Sequence, residues 1–370
     1  MILILTQCFP SRVGGIESLI SNLSLGLAKR NKVIVFADQY NLLNDSIFDN
    51  KYKEDIFVRR FSGIKFFRRR KKIKDLKIFI ENNDVKLVLA DTWKSLELCV
   101  NFLNEKNIKS ICLTHGNELI HENKKKLKRI KFTLERCSHV VGCSKYTLSL
   151  VNKILPKYTN LNYVYPGAED LRNIKSQNFF KNDGGPILFT LARLEKRKGH
   201  DKVINTIVKL KSSFPNIQYI ILGEGTEKSN LQKLVKKLTL EKNVFFAGQV
   251  DNFKKKYLFE NADLLVMPTL DETHNRSIEG FGIAYIEAAF FSIPSIASNA
   301  GGSPEAVIHE KTGIVINKHD ELYETIFKLL SDKNKKLFLG NEAKKRAESE
   351  FNWELVTNKY LDVFNLASKK

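Results

Sequence analysis

Short runs of consecutive apolar residues alternate with longer segments of helical periodicity along the whole chain. Uninterrupted apolar runs of this length are typical of parallel strands buried on both faces of a sheet. In the first half they predict strands at Ile2–Leu5, Val33–Ala37, Leu87–Ala90, Ile111–Thr114, Val140–Gly142 and Tyr163–Tyr165. In the second half they predict strands at Ile187–Leu191, Tyr219–Leu222, Val244–Ala247, Leu264–Met267, Ser295–Ala297 and Ile314–Ile316. The pattern therefore predicts an α/β protein with two doubly wound parallel sheets.

Segments with apolar residues at helical spacing separate these runs and predict the covering helices. The clearest are Ile16–Ala28, Ile73–Glu81, Asp201–Phe214, Lys228–Leu238, Ile283–Phe291 and Trp353–Leu366. Residues 173–185 are polar, lack periodicity and end at Gly184-Gly185-Pro186, so we interpret them as a linker. At 370 residues the chain is long enough for two domains with their own cores. We predict domains at 1–172 and 186–350, followed by a C-terminal helical segment at 351–370.

The charge changes the picture of possible partners. The chain has 61 Lys and Arg against 41 Asp and Glu, a net charge of +20, which indicates an anionic partner surface. One basic run, Arg59 to Lys77, interleaves cations with Phe61, Ile64, Phe66 and Phe67, and a second run covers Lys124 to Lys131. The cations that we predict to bind a membrane or acceptor are Arg68, Arg69, Arg70, Lys71 and Lys72.

Each such cation contributes on the order of 1 kcal/mol near an anionic membrane. The same chemistry suits nucleic acid, and a solvated basic face is the third reading. The sequence has no helix-turn-helix or zinc-finger pattern, so we expect no nucleic-acid partner. Its five cysteines are scattered without a C-x-x-C pair, which favours buried thiols in a reducing cytoplasm. We predict no metal site, and the apolar run Ile2–Leu5 is too short for a signal peptide or a membrane span.

The candidate chemistry is concentrated in Glu279-Gly-Phe-Gly-Ile-Ala-Tyr-Ile-Glu287. The two glycines indicate a loop that leads directly into a helix at Ile283. Glu279 then lies outside the helix and Glu287 about one turn inside it, so that two carboxylates face one cavity. The backbone amides around Phe281, Gly282 and Ile283 point outward at the helix start, which favours an anion there.

This stretch resembles the signature of the retaining glycosyltransferases of family 4, in which two glutamates frame the donor nucleotide sugar. The resemblance implies that Glu279 lies near the donor sugar and that Glu287 binds the ribose hydroxyls. It also implies the fold named GT-B, in which two Rossmann-like domains face an interdomain cleft and the C-terminal helix crosses back to the first domain.

Further motifs carry the resemblance in the same order as in the family. Gly14-Gly15 follows the first strand, where family members hold the donor pyrophosphate, and His115 follows the strand ending at Thr114, where the family's histidine reaches the donor sugar and acceptor. Arg193 and Lys198 match the cations that hold the diphosphate, whereas we interpret Lys196 and Arg197 as solvated. Val250 is placed near the nucleobase. We therefore predict that His115, Glu279, Arg193 and Lys198 act in catalysis.

The resemblance implies transfer of a hexose, of mannose or glucose type, from a GDP- or UDP-sugar to a lipid-linked or glycan acceptor in cell-envelope synthesis. We expect retention of anomeric configuration, no cofactor, and a cytoplasmic enzyme peripherally bound to the inner face of the membrane. The absence of Asp-x-Asp favours a metal-free site. Two rivals remain at this point: a nucleotide-sugar epimerase or phosphorylase of the same fold, and a basic nucleic-acid-binding protein.

Overall fold

The computed structural model describes residues 1–368, which form two compact units. The first unit contains residues 1–167 and the C-terminal segment that begins at Trp353, and the second contains Ala168–Asn352. The predicted linker, residues 173–185, belongs to the second unit. Within the described residues, no helix has the length and apolar character needed to cross a membrane.

The first unit is built on a seven-stranded sheet in which every neighbouring pair is parallel, in the order β3-β2-β1-β4-β5-β6-β7. Its strands are β1 Ile2–Leu5, β2 Val33–Asp38, β3 Phe57–Phe61, β4 Leu87–Ala90, β5 Lys109–Thr114, β6 His139–Gly142 and β7 Leu161–Tyr163. Its helices are α1 Gly15–Ala28, α2 Leu42–Lys51, α3 Lys65–Glu81, α4 Trp93–Leu96, α5 Val100–Glu105, α6 Lys124–Glu135 and α7 Lys145–Ile154. The strand order reverses between β1 and β4, where ligand-binding loops collect in such sheets.

The second unit has a six-stranded parallel sheet in the order β10-β9-β8-β11-β12-β13, which reverses between β8 and β11. Its strands are β8 Ile187–Leu191, β9 Gln218–Leu222, β10 Val244–Gly248, β11 Leu264–Met267, β12 Ser295–Ser298 and β13 Gly313–Ile316. Its helices are α8 His200–Leu210, α9 Lys228–Lys237, α10 Asn252–Asn261, α11 Ile283–Ala289, α12 Ser303–Ala306, α13 Leu322–Ser331 and α14 Lys333–Glu350. Short 3₁₀ turns are Leu171–Asn173, Lys196–Lys198, Thr273–Asn275 and His319–Glu321.

The last helix, α15 Trp353–Ser368, completes the core of the first unit. Its residues Val356, Tyr360 and Val363 are buried in the same apolar cluster as strand β1. The contact with α1 is close, because a Cβ atom on Gly26 would lie 2.2 Å from Thr357 Oγ1. The chain therefore closes its first unit with its C-terminal end.

The predicted fold class, two Rossmann-like parallel sheets, is confirmed by this topology. The apolar pattern missed β3, Phe57–Phe61, because an edge strand exposes alternate residues and this one carries Arg59 and Arg60. It also placed β7 two residues too late, since β7 is only Leu161–Tyr163. Helix α3 begins at Lys65, eight residues before the predicted Ile73, because its first two turns are basic rather than amphipathic.

Candidate active site

The loop after β8 brings a group of charged side chains to the point where the second sheet reverses its order. Gly199 ends this loop with a φ of 72°, in the left-handed region that favours glycine. A Cβ atom at Gly199 would lie 2.3 Å from the carbonyl oxygen of Pro268, directly after β11. The two loops that follow β8 and β11 are therefore packed together without room for a side chain.

Glu279 receives two cations from the β8 loop. The Lys198 Nζ atom donates a hydrogen bond to Glu279 Oε2, and Arg197 NH1 donates to the same oxygen at 3.1 Å. The Lys198 and Glu279 side chains are only 10% and 11% exposed, so the charges meet in a largely desolvated environment. Burial opposes ionisation of Glu279, but Lys198 and Arg197 outweigh it and lower the pKa of this carboxyl below its usual value. The carboxylate is therefore held ionised.

The backbone of Glu279 is fixed by the loop after β12. The Gly302 amide donates to the Glu279 carbonyl oxygen at 2.8 Å. A Cβ atom on Gly302 would lie 2.0 Å from the Gly280 carbonyl oxygen, and one on Gly301 would lie 2.2 Å from that of Glu279. Glycine is required at both positions because backbone approaches backbone at van der Waals limits. The two glycines therefore hold the backbone of Glu279 in place.

The substitution Gly302→Ala tests whether this close backbone contact holds Glu279 in place. We expect it to destabilise the second unit by about 1–3 kcal/mol, because the added methyl group overpacks a rigid backbone contact. It should also lower transfer activity, since Glu279 must move. Gly184→Ala is the control for activity: its φ of 78° also strains an alanine, but nothing lies within 4 Å of the added Cβ atom, so no backbone next to Glu279 is pushed. Equal activity in the two variants would contradict a positioning role for Gly302.

Arg197 is buried, with 5% exposure, so the interpretation of this residue as solvated is wrong. Its Nε atom lies 3.3 Å from Glu195, and its NH1 group binds Glu279. Burial of this guanidinium is tolerated because two carboxylates flank it. Lys196 is exposed, as interpreted from the sequence. Arg193 is largely exposed and pairs with Glu195 at 2.8 Å rather than with Glu279.

Glu287 has a different cationic partner. Helix α11 begins at Ile283, so Glu287 lies about one turn inside the helix and Glu279 outside it, as predicted. Lys255 Nζ donates to Glu287 Oε1 at 2.8 Å, and both residues are largely buried. Burial acts to lower the pKa of Lys255, but Glu287 outweighs it and the pKa lies above its usual value. Sequence reasoning missed Lys255, which is one of three consecutive lysines without any distinguishing pattern.

The Lys255–Glu287 pair joins Glu287, a predicted donor-binding residue, to the helix that follows Val250, another one. Lys255 belongs to α10, and Val250 lies in the loop between β10 and the start of that helix. Gly282 caps α11 in a left-handed conformation with a φ of 100°, and a glycine has no side chain with which to cap the helix. Phe281 is buried next to it. The predicted donor-binding residues of the second unit outside the β8 loop therefore lie at or near the first turns of α10 and α11. They are Val250, Phe281, Gly282, Ile283 and Glu287.

In the first unit, the loop after β1 is tied to the end of β4 by a buried carboxylate. Asp91 accepts hydrogen bonds from Thr6 Oγ1 at 2.9 Å and from the Gln7 amide at 2.8 Å. Gly14 and Gly15 follow in this loop and begin α1, with Gly14 as an N-cap that makes no side-chain bond. A Cβ atom on Gly14 would lie 2.3 Å from the carboxylate of Glu17. The predicted glycine pair therefore stands at the reversal point of the first sheet.

His115 lies at the same edge of the first sheet, directly after β5. Its Nε2 atom is 2.8 Å from the Asp91 carbonyl oxygen, and its amide donates to Glu118 Oε1 at 2.7 Å. Because a carbonyl oxygen only accepts, Nε2 must carry the proton. In the neutral ring this leaves Nδ1 as a hydrogen-bond acceptor. The structure therefore brings His115 near the loop of Gly14 and Gly15 through Asp91.

Comparison with known protein families shows which families the two halves of the chain match. The family described as Glycosyltransferase Family 4 matches residues 13–169, and the family described as Glycosyl transferases group 1 matches residues 172–346. The chain is a glycosyltransferase with a family 4 domain and a group 1 domain. The family resemblance inferred from the motifs is therefore confirmed.

Relatives of this glycosyltransferase align over nearly its full length. A GDP-mannose-dependent monoacylated alpha-(1-6)-phosphatidylinositol monomannoside mannosyltransferase of Corynebacterium glutamicum is 24% identical and covers 98% of this chain and 97% of its own length. A GDP-mannose-dependent alpha-(1-6)-phosphatidylinositol monomannoside mannosyltransferase of Mycobacterium tuberculosis is also 24% identical, with the same shares covered.

A solved structure with the same fold is HepE of Anabaena in complex with UDP. It has a TM-score of 0.81 and 18% identity, and 99% of each chain is covered. The lipopolysaccharide outer core galactosyltransferase WaaB has a TM-score of 0.72 and 16% identity, with both chains fully covered. The predicted GT-B class, with its two Rossmann-like domains, is confirmed by these neighbours.

Fewer cations of the basic run Arg59 to Lys77 are free to contact a partner surface than the composition of this run indicates. Lys72 is buried, and its Nζ atom binds the Thr6 carbonyl oxygen at 2.6 Å and Asp38 at 2.5 Å. The prediction that Lys72 contacts a membrane is therefore corrected. Arg68 pairs with Asp38 at 2.9 Å, and Arg69 pairs with Glu97 at 2.9 Å. Arg70 and Lys71 are exposed.

Proposed function

We propose that this glycosyltransferase moves a hexosyl group from a nucleoside diphosphate sugar to a hydroxyl of a lipid-linked or polysaccharide acceptor of the cell envelope, with retention of anomeric configuration. The observation that carries the proposal is the ionised Glu279, which is bound by Lys198 and Arg197 where the second sheet reverses its order. A buried anion between two cations fits a reaction in which positive and negative charge develop on neighbouring atoms.

The chemical problem in such a transfer is charge separation. The anomeric carbon becomes cationic while negative charge builds on the departing diphosphate. Lys198 has three donors and uses one on Glu279, so it can stabilise a phosphate with another. Arg193 precedes it in the same loop, is largely exposed, and offers bidentate geometry. Preorganised donors of this kind lower a barrier by several kcal/mol because they do not reorganise during the reaction.

The remaining site residues have roles consistent with this chemistry. The Glu279 carboxylate would accept hydrogen bonds from donor-sugar hydroxyls, and Glu287 would accept those of the ribose. The Nδ1 atom of His115 would orient a hydroxyl of the sugar or acceptor. Gly14 and Gly15 would admit the pyrophosphate to the first amides of α1. We propose that the nucleobase lies near Val250.

We propose that the reaction needs neither a cofactor nor a metal ion. Lys198, Arg193 and the amides at the start of α11 can supply the positive charge that a metal ion provides in other transferases. Among the described residues, no group of three His, Cys, Asp or Glu side chains has a metal-binding arrangement.

The names of the relatives guide the choice of donor and acceptor. Relatives that cover almost the whole chain are described as GDP-mannose-dependent and as acting on phosphatidylinositol mannosides, which supports a mannosyl donor and a lipid-linked acceptor. A solved neighbour contains UDP, so UDP-glucose is the donor to compare. A lipid-linked acceptor further supports a cytoplasmic enzyme that binds the inner membrane face peripherally.

Thermal unfolding in the presence of nucleotide sugars tests the donor assignment. We expect GDP-mannose to raise the melting temperature more than UDP-glucose. A ligand at 100 times its dissociation constant stabilises the protein by about 2.7 kcal/mol. In Glu287→Gln the shift should shrink, because the ribose hydroxyls then meet one neutral amide oxygen instead of the two oxygens of a carboxylate. Turnover of the nucleotide sugar without an acceptor would instead favour the epimerase alternative.

A further inference from the structure

Three segments of the first unit, each a loop and the helix start that follows it, expose an unusual set of large apolar side chains. They are Val13, Tyr40, Leu42, Leu43, Ile47, Ile64, Phe66 and Phe67, which we call the loop surface. Among the residues that the structure describes, every large apolar side chain that is at least 66% exposed belongs to this set. Exposed apolar side chains that are concentrated rather than scattered mark an interaction surface.

The members of the loop surface lie at one edge of the first sheet. Val13 follows β1, Tyr40 and α2 follow β2, and Ile64 to Phe67 follow β3. These three strands are parallel neighbours, so the loops after them emerge side by side.

Hydrogen bonds and ion pairs fix these loops to one another. Asp45 of α2 accepts from the Ser11 amide at 3.1 Å and lies 3.7 Å from Arg60 of β3. Arg68 of α3 in turn pairs with Asp38 at the end of β2 at 2.9 Å, so the three segments form one connected surface.

The charge around the loop surface is positive. The aspartates of this region are each paired with a cation inside the unit: Asp38 with Arg68 and Lys72, Asp45 and Asp49 with Arg60, and Asp75 with Arg59. Lys65, Arg70 and Lys71 are exposed, and none of them has a carboxylate partner within the described residues. The Arg70 guanidinium lies 3.5 Å from the ring centre of Phe66. Cations are therefore interleaved with apolar side chains at the same edge.

We infer that the loop surface docks this unit on an anionic lipid bilayer. Leu42, Leu43 and Phe67 enter the boundary between headgroups and acyl chains, while Lys65, Arg70 and Lys71 contact lipid phosphates. The role of this docking rests on the proposed function. Because Gly14 and Gly15 lie in the same β1 loop as Val13, docking brings the glycine pair to the surface from which a lipid-linked acceptor projects.

Vesicle sedimentation with a matched pair of variants tests the inference. The surface variant is Leu43→Ser with Phe67→Ser, and the control is Leu337→Ser with Phe338→Ser, a pair exposed on α14 of the second unit. The vesicles contain phosphatidylcholine alone or mixed with phosphatidylglycerol. We expect the surface variant to lose about tenfold or more in partitioning to the mixed vesicles, because two large apolar side chains no longer leave water. The control should partition as the unchanged protein does.

Two further measurements separate the possible outcomes. Arg70→Gln with Lys71→Gln should weaken binding to the mixed vesicles by about fivefold or more, since each cation acts on an anionic surface. Equal sedimentation of the surface and control variants would overturn the inference. So would a surface variant that leaves vesicle binding unchanged but alters the oligomeric state in size-exclusion chromatography, because the occupant would then be protein.

Nucleotide-sugar binding distinguishes this inference from the proposed function. The surface variant should keep the thermal shift with GDP-mannose, because its substitutions are in the first unit, whereas Glu279 and Glu287 belong to the second. Vesicle binding without any nucleotide-sugar shift would refute the proposed function and leave the docking surface supported.

Discussion

Lys198→Ala is expected to lower kcat for sugar transfer by about 10²- to 10³-fold, the loss measured when one preorganised donor to a developing negative charge is removed. Lys198 is the buried cation that contacts Glu279 and follows β8 at the reversal point of the sheet. Its removal leaves Glu279 paired with Arg197, so the charge pair is weakened rather than eliminated. The effect should therefore be much larger on turnover than on folding.

Lys196→Ala is the matched control for this experiment. Lys196 is in the same 3₁₀ turn and has the same chemistry, but it is exposed. It should retain nearly full activity, because an exposed lysine is free to leave the site. Initial rates at saturating donor, with circular dichroism to verify folding, provide the measurement. Comparable losses of kcat in the two variants would mean that the β8 loop acts through its total positive charge and not through a specific contact of Lys198.

The apolar pattern was sufficient to predict the fold because buried parallel strands are continuous apolar runs. Ile2–Leu5, Leu87–Ala90, Ile187–Leu191 and Leu264–Met267 have the bounds predicted for them. Edge positions behave differently, since strand β3 has one face in water and contains two arginines. Periodicity alone could not distinguish it from the basic helix that follows.

The sequence predicted the motifs of the candidate site, but it did not predict which of their side chains pair with one another. Sequence order placed Glu279, Arg193 and Lys198 after the correct strands, because the ends of parallel strands define where loops lie. Which cation is buried depends on packing across the sheet. Arg197 is buried beside Glu195 and Glu279, whereas Arg193, four residues earlier, is exposed. The order of charged residues along the sequence does not show which of the two arginines is buried.

Burial of charge also explains why the basic run was overinterpreted. Lys72 is the last of five consecutive cations, Arg68 to Lys72, and the sequence alone predicted it to contact a membrane or acceptor. In the fold it is buried between the Thr6 carbonyl oxygen and Asp38, where it ties α3 to the ends of β1 and β2. Exposed apolar side chains indicate an interaction surface more strongly than the basic run does, because Phe67 and Leu43 stay largely exposed in the folded protein.

Glu279→Gln is expected to reduce the free energy of unfolding of the second unit by about 3–5 kcal/mol near neutral pH. The substitution leaves Lys198 and Arg197 as adjacent buried cations without their shared carboxylate. Both tryptophans, Trp93 and Trp353, belong to the first unit, so their fluorescence does not report directly on the change. Urea unfolding followed by circular dichroism is the appropriate measurement. Glu324→Gln, which breaks an exposed pair with Lys328, should cause no measurable loss.

The pH dependence of this difference identifies its cause. Because the pKa of Glu279 is lowered in the folded state, its stabilising contribution is complete above the usual carboxyl value of 4.5 and is lost as pH falls through the folded value. In Glu279→Gln, buried Lys198 lacks its counter-charge, which lowers its pKa further, so the variant gains stability as pH rises. The two proteins should therefore differ most near neutral pH and converge at acid pH; the difference should also narrow at alkaline pH without closing, because Arg197 keeps its charge. A difference that stays constant from acid to alkaline pH would attribute the loss to packing rather than to charge.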